Sequence, residues 1–182
     1  LPESVQSASD AYASAYTSLD TIISTDIDAF FGGPTPYGPS LTLSANSQAD
    51  PTSLSRRRAA LDTMMEKWRA NLSAASSQDP IVILDEASAN ATIVSQFLVD
   101  LAAAANERDS NATPTQIAAL ASARSGVSGL LSSLASARAS YRSGSTQATA
   151  GADASVKTAL GAYRVIGYNG PDYLLPAVLN TG

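Results

Sequence analysis

The chain of 182 residues contains no cysteine and no histidine. Those two absences exclude disulfides, thiolate nucleophiles, imidazole bases and the usual zinc and haem ligands. An enzyme built on this sequence would need a carboxylate pair, a Ser–Lys arrangement or a bound cofactor. The candidates are thin, so no catalytic residue, no metal and no cofactor is expected. Only two lysines are present, Lys67 and Lys157, and neither stands in a Ser-x-x-Lys setting. No glycine-rich phosphate loop occurs, and "TDIDAFFGG" lacks the oxygen-ligand spacing of an EF-hand.

Charge is scarce as well. Charged residues make up 15% of the chain, against about 25% in an average globular protein. The net charge of −5 and a pI near 4.5 argue against a nucleic-acid or anionic-membrane surface, both of which need a basic face. The one basic run, Arg56-Arg57-Arg58, is expected on an exposed helix face. No uninterrupted apolar run reaches the length of about twenty residues that a membrane span requires. The chain begins at Leu1 rather than Met, which a removed signal peptide, a removed anchor or an internal fragment would each explain. Low charge with abundant serine and threonine leans toward an extracytoplasmic location, secreted or at the cell surface, which lack of cysteine does not contradict.

Hydrophobic residues make up 45% of the chain, but aromatics only 6%. Much of the apolar fraction is alanine, which contributes helix propensity more than buried area. One all-α domain, 1–182, with closely approaching helices is the expected architecture.

Steps of three and four residues mark the helices. The first is expected over 2–31, on Val5, Ala8, Tyr12, Ala15, Leu19 and Ile22, with Gly32-Gly33 and Pro34 as its stop. Three more open with a capping oxygen directly before a proline, at Asp50-Pro51, Asp79-Pro80 and Thr113-Pro114. They are expected over 51–75, 80–108 and 114–142. The third carries Leu84, Ala87, Ala91, Val94, Leu98, Leu101 and Ala105 at heptad spacing. A weaker fifth helix is expected over 146–166, after a break at "RSGSTQATAG". Sustained heptads joined by short turns predict an antiparallel, up-and-down bundle.

Two segments stand outside this pattern, a Gly/Pro-rich loop over 32–50 and an irregular tail over 167–182. If the helices alternate in direction, both fall at the same end of the bundle. Tyr37, Leu41 and Leu43 in the loop and Tyr168, Tyr173, Leu174 and Leu175 in the tail then either close the core or form a partner-binding surface. Contact between Tyr37 and Tyr173 is the expected signature. Asp26 continues the apolar spacing of the first helix and is expected near the core, with Arg164 a candidate partner. Asp85 and Glu86 are read as first-turn residues that complement the helix dipole. Sequons occur at Asn71, Asn90 and Asn111. The ending "LPAVLNTG" separates Leu-Pro from Thr-Gly by too many residues to be a sortase signal.

The functional expectation is a non-enzymatic structural or interaction module of a cell-surface or extracellular assembly, its partner a protein and self-association included. The alternative is an extracytoplasmic sensor bundle with a small molecule between its helices, which requires Asp26, Arg124 or Arg138 to face an internal void.

Overall fold

The computed structural model describes residues 2–35, 38–44 and 50–167. Helix accounts for 86% of the structure, so the fold is all-α. The chain divides into two compact units, Leu1–Arg142 and Ser143–Gly182.

In the first unit, helix α1 (Pro2–Thr21) continues into a π-turn (Ile22–Ile27) and a short 3-10 turn (Asp28–Phe30). A hairpin of β1 (Phe31–Thr35) and β2 (Gly38–Leu41) follows, pairing Phe31 with Leu41 and Gly32 with Ser40. Then come α2 (Pro51–Asn71), a 3-10 turn (Leu72–Ser77), α3 (Pro80–Ala105) and α4, which starts at Pro114.

The capping chemistry sets the starts of these helices. The Asp50 carboxylate accepts from Thr52 N–H at 3.0 Å and that of Asp79 from Ile81 N–H at 2.8 Å. At α4, Thr113 Oγ1 accepts from Gln116 N–H while Gln116 Oε1 accepts from Thr113 N–H, a reciprocal capping box. The core stripe of α3 is buried at every heptad position, and "IVIL" lies inside that helix. Leu54, Leu61, Met65 and Trp68 of α2 pack into the same core, with Tyr12, Leu19 and Phe30 from the first segment and Leu120, Ala123, Val127 and Leu134 from α4.

Several expectations are corrected. The first helix is not closed by a glycine cap, since Gly32 and Gly33 lie in β1. It ends by changing pitch, with Asp28 N–H donating to Ile23 C=O across the π-turn. The extra residue in that turn moves the buried stripe to Ile23, Ile27 and Phe30. Asp26 is therefore only half-buried. The segment after it is a hairpin rather than plain loop, and its turn enters β2 at Gly38 with φ +90°, a conformation that favours glycine.

The hairpin is tied down on both sides. Leu41 N–H donates to Ser55 Oγ, Thr42 N–H and Oγ1 both donate to Phe30 C=O, and Asn111 bridges Thr42 C=O and Ser44 N–H. Leu43 sits in the core and Leu41 packs partly buried against it.

In the second unit, the expected break over Arg142–Gly151 and the separate fifth helix are absent. Residues from Ser143 to Gly167 continue α4, which runs Pro114–Gly167. Isolated glycines inside a helix cost only about 1 kcal/mol each relative to alanine. Hydroxyls that compete with the helix elsewhere donate back along it here, Thr149 to Ser145 C=O, Ser155 to Gly151 C=O and Thr158 to Ala154 C=O.

Candidate functional site

Two regions of the basic and acidic side chains were misjudged by their neighbours in sequence. Of Arg56-Arg57-Arg58, Arg56 is exposed, Arg57 intermediate and Arg58 buried. Arg57 pairs with Asp100 of α3 and lies 5.5 Å from the centre of the Phe97 ring. Arg58 is buried, 6% exposed, and pairs with both Asp28 and Asp62 at 2.6 Å. Burial works against its charge, but the hydrogen bonds that it donates to the Asp28 and Asp62 carboxylates outweigh that and raise its pKa. The signal was present, because Arg58 falls in the stripe Leu54, Arg58, Leu61, Met65.

Asp85 and Glu86 lie past the first turn of α3 and reach across to other helices, so the dipole reading fails for them. Asp85 accepts from Arg138 Nη2 of α4 at 3.0 Å. Glu86 accepts from Tyr12 OH at 3.0 Å and from Asn71 Nδ2 at 3.2 Å, which leaves the Asn71 sequon engaged. Trp68 lies against this knot, its ring 5.4 Å from Tyr12 and 5.8 Å from Tyr16.

Burial first, and then the bond to Glu86, pushes the Tyr12 phenol well above its ordinary pKa of 10.0. The folded state therefore holds this proton where the unfolded chain has lost it. The resulting stability is complete below pH 10 and falls as pH rises beyond it. Tyr12→Phe should flatten that alkaline decline in urea midpoints measured from pH 9 to 11.5. An unchanged slope would remove Tyr12 as its source.

Among the described residues, two surfaces stand out as able to receive something. The first is a trough of about 710 Å³ between α1 and α4, lined by Ala11, Ser14, Ser18 and Ile22 on one wall and Gly126 and Leu130 on the other. Its lining carries no charged side chain. Thr17, Thr21 and Ser133 at its rim spend their hydroxyl protons on their own helices, at Ala13, Thr17 and Gly129 C=O. They offer the trough acceptor oxygens alone. Asp26, Arg124 and Arg138 are not in this lining, so the charged void required for a sensor is not formed here.

The second surface is the part of α4 in the second unit. Every residue from Thr149 to Ala162 is exposed. Val156 and Leu160, one turn apart, are 57% and 55% exposed. Within 149–162 the formal charges are Asp153 and Lys157, which pair with each other at 2.7 Å. Exposed Val82, Ile93 and Val99 also mark the outer side of α3. By length and composition alone, α4 over Pro114–Ala162 is the one described helix that could cross a membrane, yet Leu120, Ala123, Val127 and Leu134 are committed to the core.

Of the residues singled out in the sequence, Leu43 is buried in the core and Leu41 packs partly buried against it. Tyr37, Tyr168, Tyr173, Leu174 and Leu175, and the side chain of Arg164, lie outside the described residues. So does the expected Tyr37–Tyr173 contact, and the turn between helices four and five that motivated it is helical. Among the described residues, no group of three or more acidic side chains could hold a metal. No family model matches this chain, and neither a curated protein nor a solved structure matches it.

Proposed function

We propose that this chain is a non-enzymatic, self-associating module of an extracytoplasmic assembly. Its four long helices form an antiparallel, up-and-down bundle over the first unit, and the outer part of α4 is the surface that a second copy covers. The pairing of termini supports the bundle. Tyr12 in α1 meets the end of α2 at Trp68 and the start of α3 at Glu86, while Arg57 near the start of α2 meets Asp100 near the end of α3. Gln116 at the start of α4 donates to Ala29 C=O after α1, and Arg138 further along α4 reaches back to Asp85.

The observation that carries the reading is the uncovered stretch Thr149–Ala162 with Val156 and Leu160 standing out of it. The stretch is the outer end of α4 and has no packed face of its own, so it rests on helix propensity, which Gly151 and Gly161 weaken. A helix of that composition needs a neighbour to hold it. Low charge and abundant Ser and Thr support a place outside the cytoplasm.

Hydrogen exchange on the intact chain tests this. Amides of 149–162 should exchange quickly at about 10 µM and gain tenfold or more protection near 1 mM, as expected for a weak association. Protection that does not change with concentration would argue for a helix that stands by itself.

A further inference from the structure

We propose that Asn111 is an N-glycosylation acceptor that is modified on the folded chain. Its use in the cell rests on the extracytoplasmic half of the proposed function, to which it adds a covalent site.

Of the three sequons, at Asn71, Asn90 and Asn111, only the last has an acidic residue two positions before the asparagine, in Asp109-Ser110-Asn111-Ala112-Thr113. Neither intervening residue is proline. A sequon is used where it lies on a surface loop, and the longer form Asp/Glu-x-Asn-x-Ser/Thr is the one taken by transferases that work on chains already folded.

The fold makes the same choice. Asn71 ends α2, half-buried, and its Nδ2 donates to the Glu86 carboxylate at 3.2 Å. Asn90 is half-buried in the middle of α3, so presenting it to an enzyme means unwinding a core helix. Asn111 lies in the irregular segment between α3 and α4 and is exposed, as are Asp109 and Thr113. Pro114 disfavours helical backbone at Thr113, which keeps the acceptor segment out of α4.

The bonds that hold Asn111 are light. Its Oδ1 accepts from Ser44 N–H at 3.0 Å and its Nδ2 donates to Thr42 C=O at 3.3 Å, both at the surface, so water replaces them when a transferase draws the segment in. In the transfer, Nδ2 bonds to the anomeric carbon of a sugar carried on a polyprenyl pyrophosphate. The bond from that carbon to the pyrophosphate oxygen breaks, the pyrophosphate leaves with the electron pair, and one Nδ2 proton passes to a base of the transferase. A carboxamide carries two hydrogens on nitrogen, and the one that remains still serves Thr42 C=O, while Oδ1 keeps its lone pairs for Ser44 N–H. The glycan therefore stands beside the hairpin without undoing the bridge to it.

The folded chain, incubated with a polyprenyl-pyrophosphate oligosaccharide and a purified transferase that reads the five-residue motif, tests this by mass spectrometry. One glycan should map to Asn111, be lost in Asn111→Gln with the helical signal intact, and persist in Asn71→Gln and Asn90→Gln. Asp109→Ala should lower transfer about tenfold or more, since it deletes a charge-assisted contact with the enzyme. Ser88→Asp completes the same motif around Asn90 inside α3. In that folded variant Asn90 should accept roughly tenfold less than Asn111, because α3 must open first, while a free peptide of residues 86–94 with the same substitution accepts readily. A folded chain that stays unmodified, or a glycan mapped to Asn71 or Asn90 of the unsubstituted chain, would overturn the proposal. Equal acceptance at Asn90 in folded Ser88→Asp would overturn selection by the fold. Transfer to Asn111 in this reaction, with the chain found in the cytoplasmic fraction of its source cells, would uphold the site and overturn the extracytoplasmic reading.

Discussion

Trp68→Ala is expected to destabilise the first unit by about 3–5 kcal/mol, the usual cost of emptying a core aromatic site. On a unit of this size that lowers Tm by roughly 8–15 °C. Trp68 is fully buried and is the centre of the aromatic cluster with Tyr12 and Tyr16. Its removal opens the junction where α1, α2 and α3 meet. Trp68→Phe should cost much less. It keeps most of the ring area and deletes Nε1–H, a buried donor with no hydrogen-bond partner among the described residues. Thermal and urea unfolding followed by circular dichroism measures both. A Trp68→Ala cost below about 1 kcal/mol would mean that this junction is not the core's keystone.

The paired substitution Val156→Asp with Leu160→Asp is expected to weaken association at least a hundredfold, equivalent to about 2.7 kcal/mol. Two carboxylates without partners would have to be buried in the interface that a second copy forms with this stretch. Both positions are more than half exposed in the single chain, so unfolding of the first unit should be unchanged. Val82→Asp with Ile93→Asp on the outer side of α3 serves as the matched control. Sedimentation equilibrium should give normal association for the α3 pair and loss for the α4 pair. The reverse result would move the interface to α3.

Features governed by local chemistry were legible in the sequence. Asp-Pro and Thr-Pro starts were found because the cap and the proline act within one turn, and the heptad of α3 because a single helical period runs through it. The position of Arg58 was also legible from spacing, but reading three arginines as one charged run hid it. Asp26 stops short of full burial for a different reason. The π-turn shifts the period by one residue, and no residue type in "IISTDI" announces such a turn. The hairpin was obscured by glycines and prolines that suit an open loop equally well, and Gly38 reveals its role only through its backbone angle. The break near Gly144 and Gly151 was overestimated because glycine lowers helix stability without forbidding helix. The trough was beyond reach of any pattern, since it arises from how far α4 stands from α1.

The native mass of the unmodified chain in solution decides the main proposal. Light scattering across a concentration series from about 10 µM to 1 mM, the range where a small interface associates, should give a weight-average mass that climbs above 18.6 kDa toward multiples of it. A constant 18.6 kDa throughout would rule out self-association through α4.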